Sequence, residues 1–139
     1  MSYTLTIVQK SAYIHAIVTG SNNLENVRHY LAEIGRECAA RNCQRALIEE
    51  RLEGPRLDTT SVFRAAADGS SAAHGQFRAI AYVDVYAEGD LMKFAETVAL
   101  NRGLPVRVFA TVPDAEKWLQ DTIRGSAERD AAAQDKGRP

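Results

Sequence analysis

Leu47 to Phe63 reads LIEERLEGPRLDTTSVF. With Arg45 and Ala46 in front, its first residues give RALIEE, an apolar run that reads as a strand. Gly54-Pro55 then marks a turn. Asp58, placed ahead of Val62, Phe63 and Ala66, reads as the N-cap of a helix that turns those apolar residues inward. Strand, loop and capped helix in one stretch are the unit of an alternating α/β chain. The same stretch gathers three glutamates and three hydroxyls, so it also raises the questions of an acid site and a phosphorylation site.

Working outward, Tyr3 to Val8 (YTLTIV) alternates and is rich in β-branched residues, and YIHAIVTG forms a second strand ending at Gly20, giving an opening hairpin. Asn22 and Glu25 form a capping box, followed by Leu24, Val27, Leu31, Ile34 and Cys38 at helical spacing, with Asn42 as the stop. Beyond the second helix, Gly69 and the serines of ADGSSAAHG predict a break or kink. FRAIAYVDVY carries apolar residues on both parities, as expected of a central strand covered on both faces. GDLMKFAETVALNRG is a third helix, with Leu91, Phe94 or Ala95, and Val98 as its stripe and Gly103 as its end. VRVFA is the fifth strand; Thr111 and Asp114 form a capping box for a last helix carrying Ala115, Trp118, Leu119 and Ile123. GSAERDAAAQDKGRP has no large apolar residue and is expected to be a disordered or frayed tail. The order β-β-α-β-α-β-α-β-α predicts a single α/β domain over residues 1–124, with a tail over 125–139. Its five-stranded sheet is mixed but mainly parallel and carries four helices.

The chain of 139 residues has the size of one domain. Its 45% hydrophobic and 25% charged fractions are ordinary for a globular protein. A net charge of −1 provides no long-range field for nucleic acid or an anionic membrane, and no nucleic-acid partner is expected. MSYTLTIVQK lacks the apolar core of a signal peptide and no run approaches membrane-spanning length, so a cytoplasmic protein without a transmembrane segment is expected. Cys38 and Cys43 have neither redox nor zinc spacing and read as reduced apolar side chains. His15, His29 and His74 share no metal-ligand spacing. No nucleophile elbow, phosphate loop or dinucleotide fingerprint occurs, so no catalytic residue, metal or cofactor is assigned.

The order of elements resembles that of STAS domains of the anti-sigma-factor-antagonist type, and more specifically the SpoIIAA-like group of small bacterial STAS/CRAL-TRIO-related proteins. The resemblance is carried by YIHAIVTG leading into the first helix, by RALIEERLEGP, and by RVFATVPDAEKWL, and covers roughly residues 3–123. It implies a non-catalytic module that binds a protein partner and is phosphorylated at the start of the second helix. The family pattern there reads Asp-Ser-x-Gly; here it reads Asp58-Thr59-Thr60-Ser61. The CRAL-TRIO side of the resemblance implies an alternative, a carrier or sensor of a small apolar, lipid-like molecule with transient membrane association.

Three kinds of site follow. Glu49, Glu50 and Glu53, with Asp84, Glu88 and Asp90, fall near the carboxyl ends of two strands, where α/β sheets bind ligands. Adjacent Glu49 and Glu50 must face opposite sides, and acids at strand ends are expected to be solvated. For a protein partner or phospho-switch the candidates are Glu53, Asp58, Thr59, Thr60 and Ser61, with Arg56 and Arg64 able to pair with an added phosphate. For an apolar ligand, the Ala- and Gly-rich second helix leaves room beside the sheet, lined by Phe63, Phe77, Tyr82, Tyr86, Met92 and Phe94. The partner and the apolar molecule are unidentified from sequence, and both monomer and homodimer remain open.

Overall fold

The computed structural model describes residues 3–55, 57–72, 75–85 and 89–136. Its elements run β1 (Tyr3–Gln9), β2 (Ile14–Ser21), α1 (Leu24–Ala40), β3 (Arg45–Glu53), α2 (Thr59–Ala72), β4 (Ala79–Asp84), α3 (Gly89–Asn101), β5 (Val106–Phe109) and α4 (Val112–Lys136). This is the mixed α/β order that the sequence predicts. The strands form one sheet in the order β1-β2-β3-β4-β5. β1 lies antiparallel to β2, and the other pairs are parallel.

Sequential strand order decides where the helices go. Crossovers of one hand, taken in one direction across a sheet, place their helices on the same face. One core accordingly packs Ile14, Ala16, Val18, Ile48 and Ile80 of the sheet against Val27, Tyr30, Ile34 and Cys38 of α1, with Ala65 of α2 and Ala99 of α3 joining it. After β5 the chain returns on the other face. There Ala115 and Leu119 of α4 close over Leu47, Ala79, Ala81 and Val83. Alternation along β3 and β4 therefore feeds two cores, as expected of buried parallel strands.

Several boundaries differ from the sequence reading. The N-cap of α1 is Asn23, whose Oδ1 accepts from the Asn26 amide at 2.8 Å. Asn22 is recruited elsewhere: its amide donates to the Glu53 carbonyl at 2.8 Å and its Nδ2 to the Pro55 carbonyl at 2.9 Å. Asn42 closes α1 in the left-handed region at φ 52°. β3 runs three residues past Glu50, to Glu53. α2 continues unbroken through Gly69, where an added Cβ would stand 3.7 Å from Leu31 Cδ1, an ordinary contact with α1. Phe63, expected to face inward, is exposed, because Val62, Ala65 and Ala66 take the sheet side. α4 extends through the expected tail to Lys136. That segment is rich in Ala, Glu, Gln, Lys and Arg, all good helix formers, so local propensity supports continuing the helix.

Candidate functional site

The three helices on one face do not fill the space over the sheet. A cavity of about 670 Å³ remains between α1, α2, α3 and strands β3 to β5. The cause is local to α2, whose lining residues include the small Ala65, Ala66 and Gly69 where longer side chains would reach the strands. Val27, Leu31 and Ile34 of α1 form one wall, Met92, Ala95 and Ala99 of α3 another, and Ile48, Ile80 and Val106 the floor. The volume is that of a pocket for a drug-sized molecule.

One end of this apolar space is polar. On β3 the residues facing the three helices are Ala46, Ile48, Glu50 and Leu52; on β4 they are Ile80, Tyr82 and Asp84. In register Glu50 stands beside Asp84, and Ile48 beside Tyr82. Tyr30 descends from α1 onto this corner. Its hydroxyl and that of Tyr82 both donate to Glu50 Oε2, and the two hydroxyls also touch each other. Tyr30 is fully buried and Glu50 is 4% exposed. Burial first, and then the carboxylates of Glu50 and Asp84, push the Tyr30 phenol well above its ordinary range and keep it protonated. The ring of Tyr3 meets that of Tyr30 edge-on with centroids 6.2 Å apart, and Tyr3 Oη donates to Glu33 at 2.8 Å, fixing the phenol from behind.

Glu49 points to the opposite face. Its carboxylate receives Arg51 Nε on one oxygen and lies 2.8 Å from His15 Nε2 on the other. Burial alone would raise the Glu49 pKa; hydrogen bonds from Arg51 and His15, with their charge, override it and hold the group below its ordinary value. Glu49 and Glu50, expected as solvated acids at a strand end, are both buried, because β3 continues to Glu53 and leaves them inside the sheet. Asp90 is exposed in the first turn of α3. Among the described residues no group of three His, Cys, Asp or Glu side chains is arranged to hold a metal. No described helix is long and apolar enough to cross a membrane.

Of the expected apolar-ligand residues, Phe77, Tyr82 and Met92 line the cavity. Phe63 lies on the surface under the Arg102 guanidinium, 5.3 Å from its centroid, and Phe94 is exposed. Tyr86 lies outside the described residues, as do Arg56, His74 and Glu88. At the other candidate surface, Glu53 is exposed, Thr59 and Thr60 are exposed in the first turn of α2, and Ser61 is half-buried. Asp58 caps that helix by accepting from the Ser61 amide at 2.7 Å, which lowers its pKa. Sequence reasoning named Glu50 only within the strand-end acid cluster and missed Tyr30. Tyr30 falls in the helical stripe three residues after Val27 and four before Ile34, and Glu50 two after Ile48 on a strand, so periodicity carried both.

The arrangement has a solved counterpart. A crystal structure of an uncharacterized DUF3478-family protein with a SpoIIAA-like fold, from Shewanella loihica PV-4, superposes with a TM-score of 0.53 over 84% of this chain and 93% of that one. The fold is SpoIIAA-like. At 17% identity the likeness is one of fold alone. No family model and no curated protein matches the chain. The fold class and the SpoIIAA-like resemblance drawn from sequence meet in this neighbour.

Proposed function

We propose that this SpoIIAA-like protein is a non-catalytic binding module that holds a small apolar, lipid-like molecule as a carrier or sensor, with transient membrane association. The observation that carries the reading is the cavity of about 670 Å³ between α1, α2, α3 and the sheet, apolar on its walls and polar at one end. Interiors normally close-pack, so a space of this size needs an occupant or a hydration shell to be stable. Native mass spectrometry of the protein isolated from its own host tests it. The expected result is added mass that vanishes on denaturation and extracts into organic solvent. Enlarging a wall residue, Ala66→Leu, is expected to lower the bound fraction while the fold persists. A bare polypeptide, together with no uptake of an apolar fluorophore by the purified protein, would overturn the reading.

A second reading concerns the loop and helix start from Glu53 to Ser61. It is favoured by the exposure of Thr59 and Thr60 beside the Asp58 cap, where a phosphate would meet the free amides of the first helical turn. On this reading the segment contacts a protein partner and phosphorylation regulates the contact. A phosphoryl increment that survives denaturation and maps to Thr59, Thr60 or Ser61, and partner capture altered by Thr59→Glu, are its expected signs. An unmodified segment and unaltered capture would count against it.

A further inference from the structure

We infer that the outer edge of β1 is a self-association surface, on which a second copy of this chain lays its own β1 antiparallel and continues the sheet across a two-fold axis. The inference is independent of the cavity and of the segment from Glu53 to Ser61.

The phase of the hairpin decides which backbone groups the edge presents. In an antiparallel pair, facing residues alternate between those that exchange hydrogen bonds and those that do not. Lys10 N donates to Tyr13 O at 2.9 Å. Carried back along the register, that phase directs the amides and carbonyls of Val8, Thr6 and Thr4 at β2, opposite His15, Ile17 and Thr19. Those of Tyr3, Leu5, Ile7 and Gln9 therefore point away from the sheet, and β1 ends the strand order, so no described strand covers them. Native sheets blunt such edges with charge, proline, shortness or a covering group. The far edge follows that rule: β5 has four residues, and its Val108 amide donates to Glu96 Oε2 of α3 at 2.8 Å. β1 has seven, YTLTIVQ, with no charge and no proline.

One register uses all four outward residues. With the axis through Thr6, Tyr3 faces Gln9 of the second copy and Leu5 faces its Ile7, each pair exchanging backbone hydrogen bonds. Leu5 and Ile7 then meet on the α1 side, and Thr6 meets its own copy on the other, pairings that favour antiparallel strands. Charge fits the same register. Glu33 of α1 stands at the Tyr3 end, accepting from its hydroxyl at 2.8 Å. Arg41 stands at the Gln9 end, donating to Gln9 Oε1 at 3.4 Å and pairing with Glu37 at 3.3 Å. A two-fold axis brings each end of β1 to the opposite end of its copy, so the Glu33 end of one α1 meets the Arg41 end of the other. That self-complementarity commits the edge to a second copy rather than to a strand of another protein.

Sedimentation velocity of the full chain, from micromolar to millimolar concentration, is expected to show a reversible monomer–dimer equilibrium. Thr6 is exposed and its backbone is held by β2, so Thr6→Lys keeps the hairpin and sets two like charges opposite each other. It is expected to weaken the dimer about fivefold. Arg41→Glu should weaken it too, and adding Glu33→Arg should restore it. Thr6→Cys gives a readout that does not depend on affinity. Its two thiols would face each other in a non-hydrogen-bonded pair, with Cα atoms about 4.5 Å apart, and should form an interchain disulfide under mild oxidation. Thr4→Cys, which faces Val8 of the copy, should not. A chain that stays monomeric throughout and yields no Thr6→Cys disulfide overturns the inference. So does a dimer that Thr6→Lys leaves intact, since it uses another face.

Discussion

Tyr30 and Cys38 lie fully buried on the same face of α1, and each resists ionisation for the same reason, loss of solvent around the charged form. The Cys38 thiol is pushed from 9.0 up to about 12, and the Tyr30 phenol well above 10.0. A raised folded-state pKa gives stability that is complete below the unfolded value and is lost as pH climbs towards the folded one. Urea midpoints are therefore expected to fall as pH rises past 9 and 10, and the fall should be shallower in Cys38→Ala and in Tyr30→Phe. At neutral pH Tyr30→Phe removes one hydrogen bond to a carboxylate and should cost about 2 kcal/mol, read from the same unfolding curves. Glu49 has the opposite sign. Its depressed pKa gives stability present above the ordinary value of 4.5 and lost as pH falls through the folded value. Thermal melts below that value should decline less steeply in Glu49→Gln, at the price of a lower plateau near neutrality. Residue type and spacing announced that Glu49 and Glu50 face opposite sides of the sheet. They did not announce burial of the two acids, because burial depended on β3 continuing to Glu53 and on helices arriving from distant sequence.

Caps and terminators act on whole elements. Asn23→Ala removes the acceptor for the Asn26 amide and should cost about 1 kcal/mol in equilibrium unfolding. The same change at Asn22 should instead loosen the junction of β2 with the β3–α2 loop, because its side chain donates to the Pro55 carbonyl. Gly103 ends α3 at φ 84°, with its amide on Leu100 O and that of Leu104 on Ala99 O. Gly103→Ala places a Cβ in that left-handed turn and should cost about 1–2 kcal/mol. The stop at Gly103 and the Thr111 cap of α4, which accepts from the Asp114 amide at 3.3 Å, were legible because those residues have few alternative roles. Asn22 and Asn23 were not separable by sequence. Two neighbouring asparagines suit the same cap, and only the strand-end contacts decide between them. Among the described side chains of α4, Val112, Ala115, Trp118, Leu119 and Ile123 reach the core.

For the molecule as a whole, the alternation of strands and helices fixed the class of fold, and the small residues of α2 marked where helix and sheet stand apart. Strand order and cavity volume lay beyond reach of periodicity, since both are set by how three crossovers settle together on one face. Among the described elements, the opposite face is covered by one helix, α4. Leu119 is fully buried there among Leu47, Ala81 and Val83, and Leu119→Ala should cost about 2–5 kcal/mol by leaving a void between α4 and the sheet. Because each strand pairs with the one made just before it, the sheet can be laid down in the order of synthesis, residue by residue from the ribosome. Among the described helices, α4 is the one that covers this side, and it follows the sheet in the order of synthesis. Until it is translated, a growing chain lacks the Ala115 and Leu119 cover over Leu47, Ala79, Ala81 and Val83, a sticky stripe of the kind that chaperones hold and that messages truncated before codon 112 would leave without that helix.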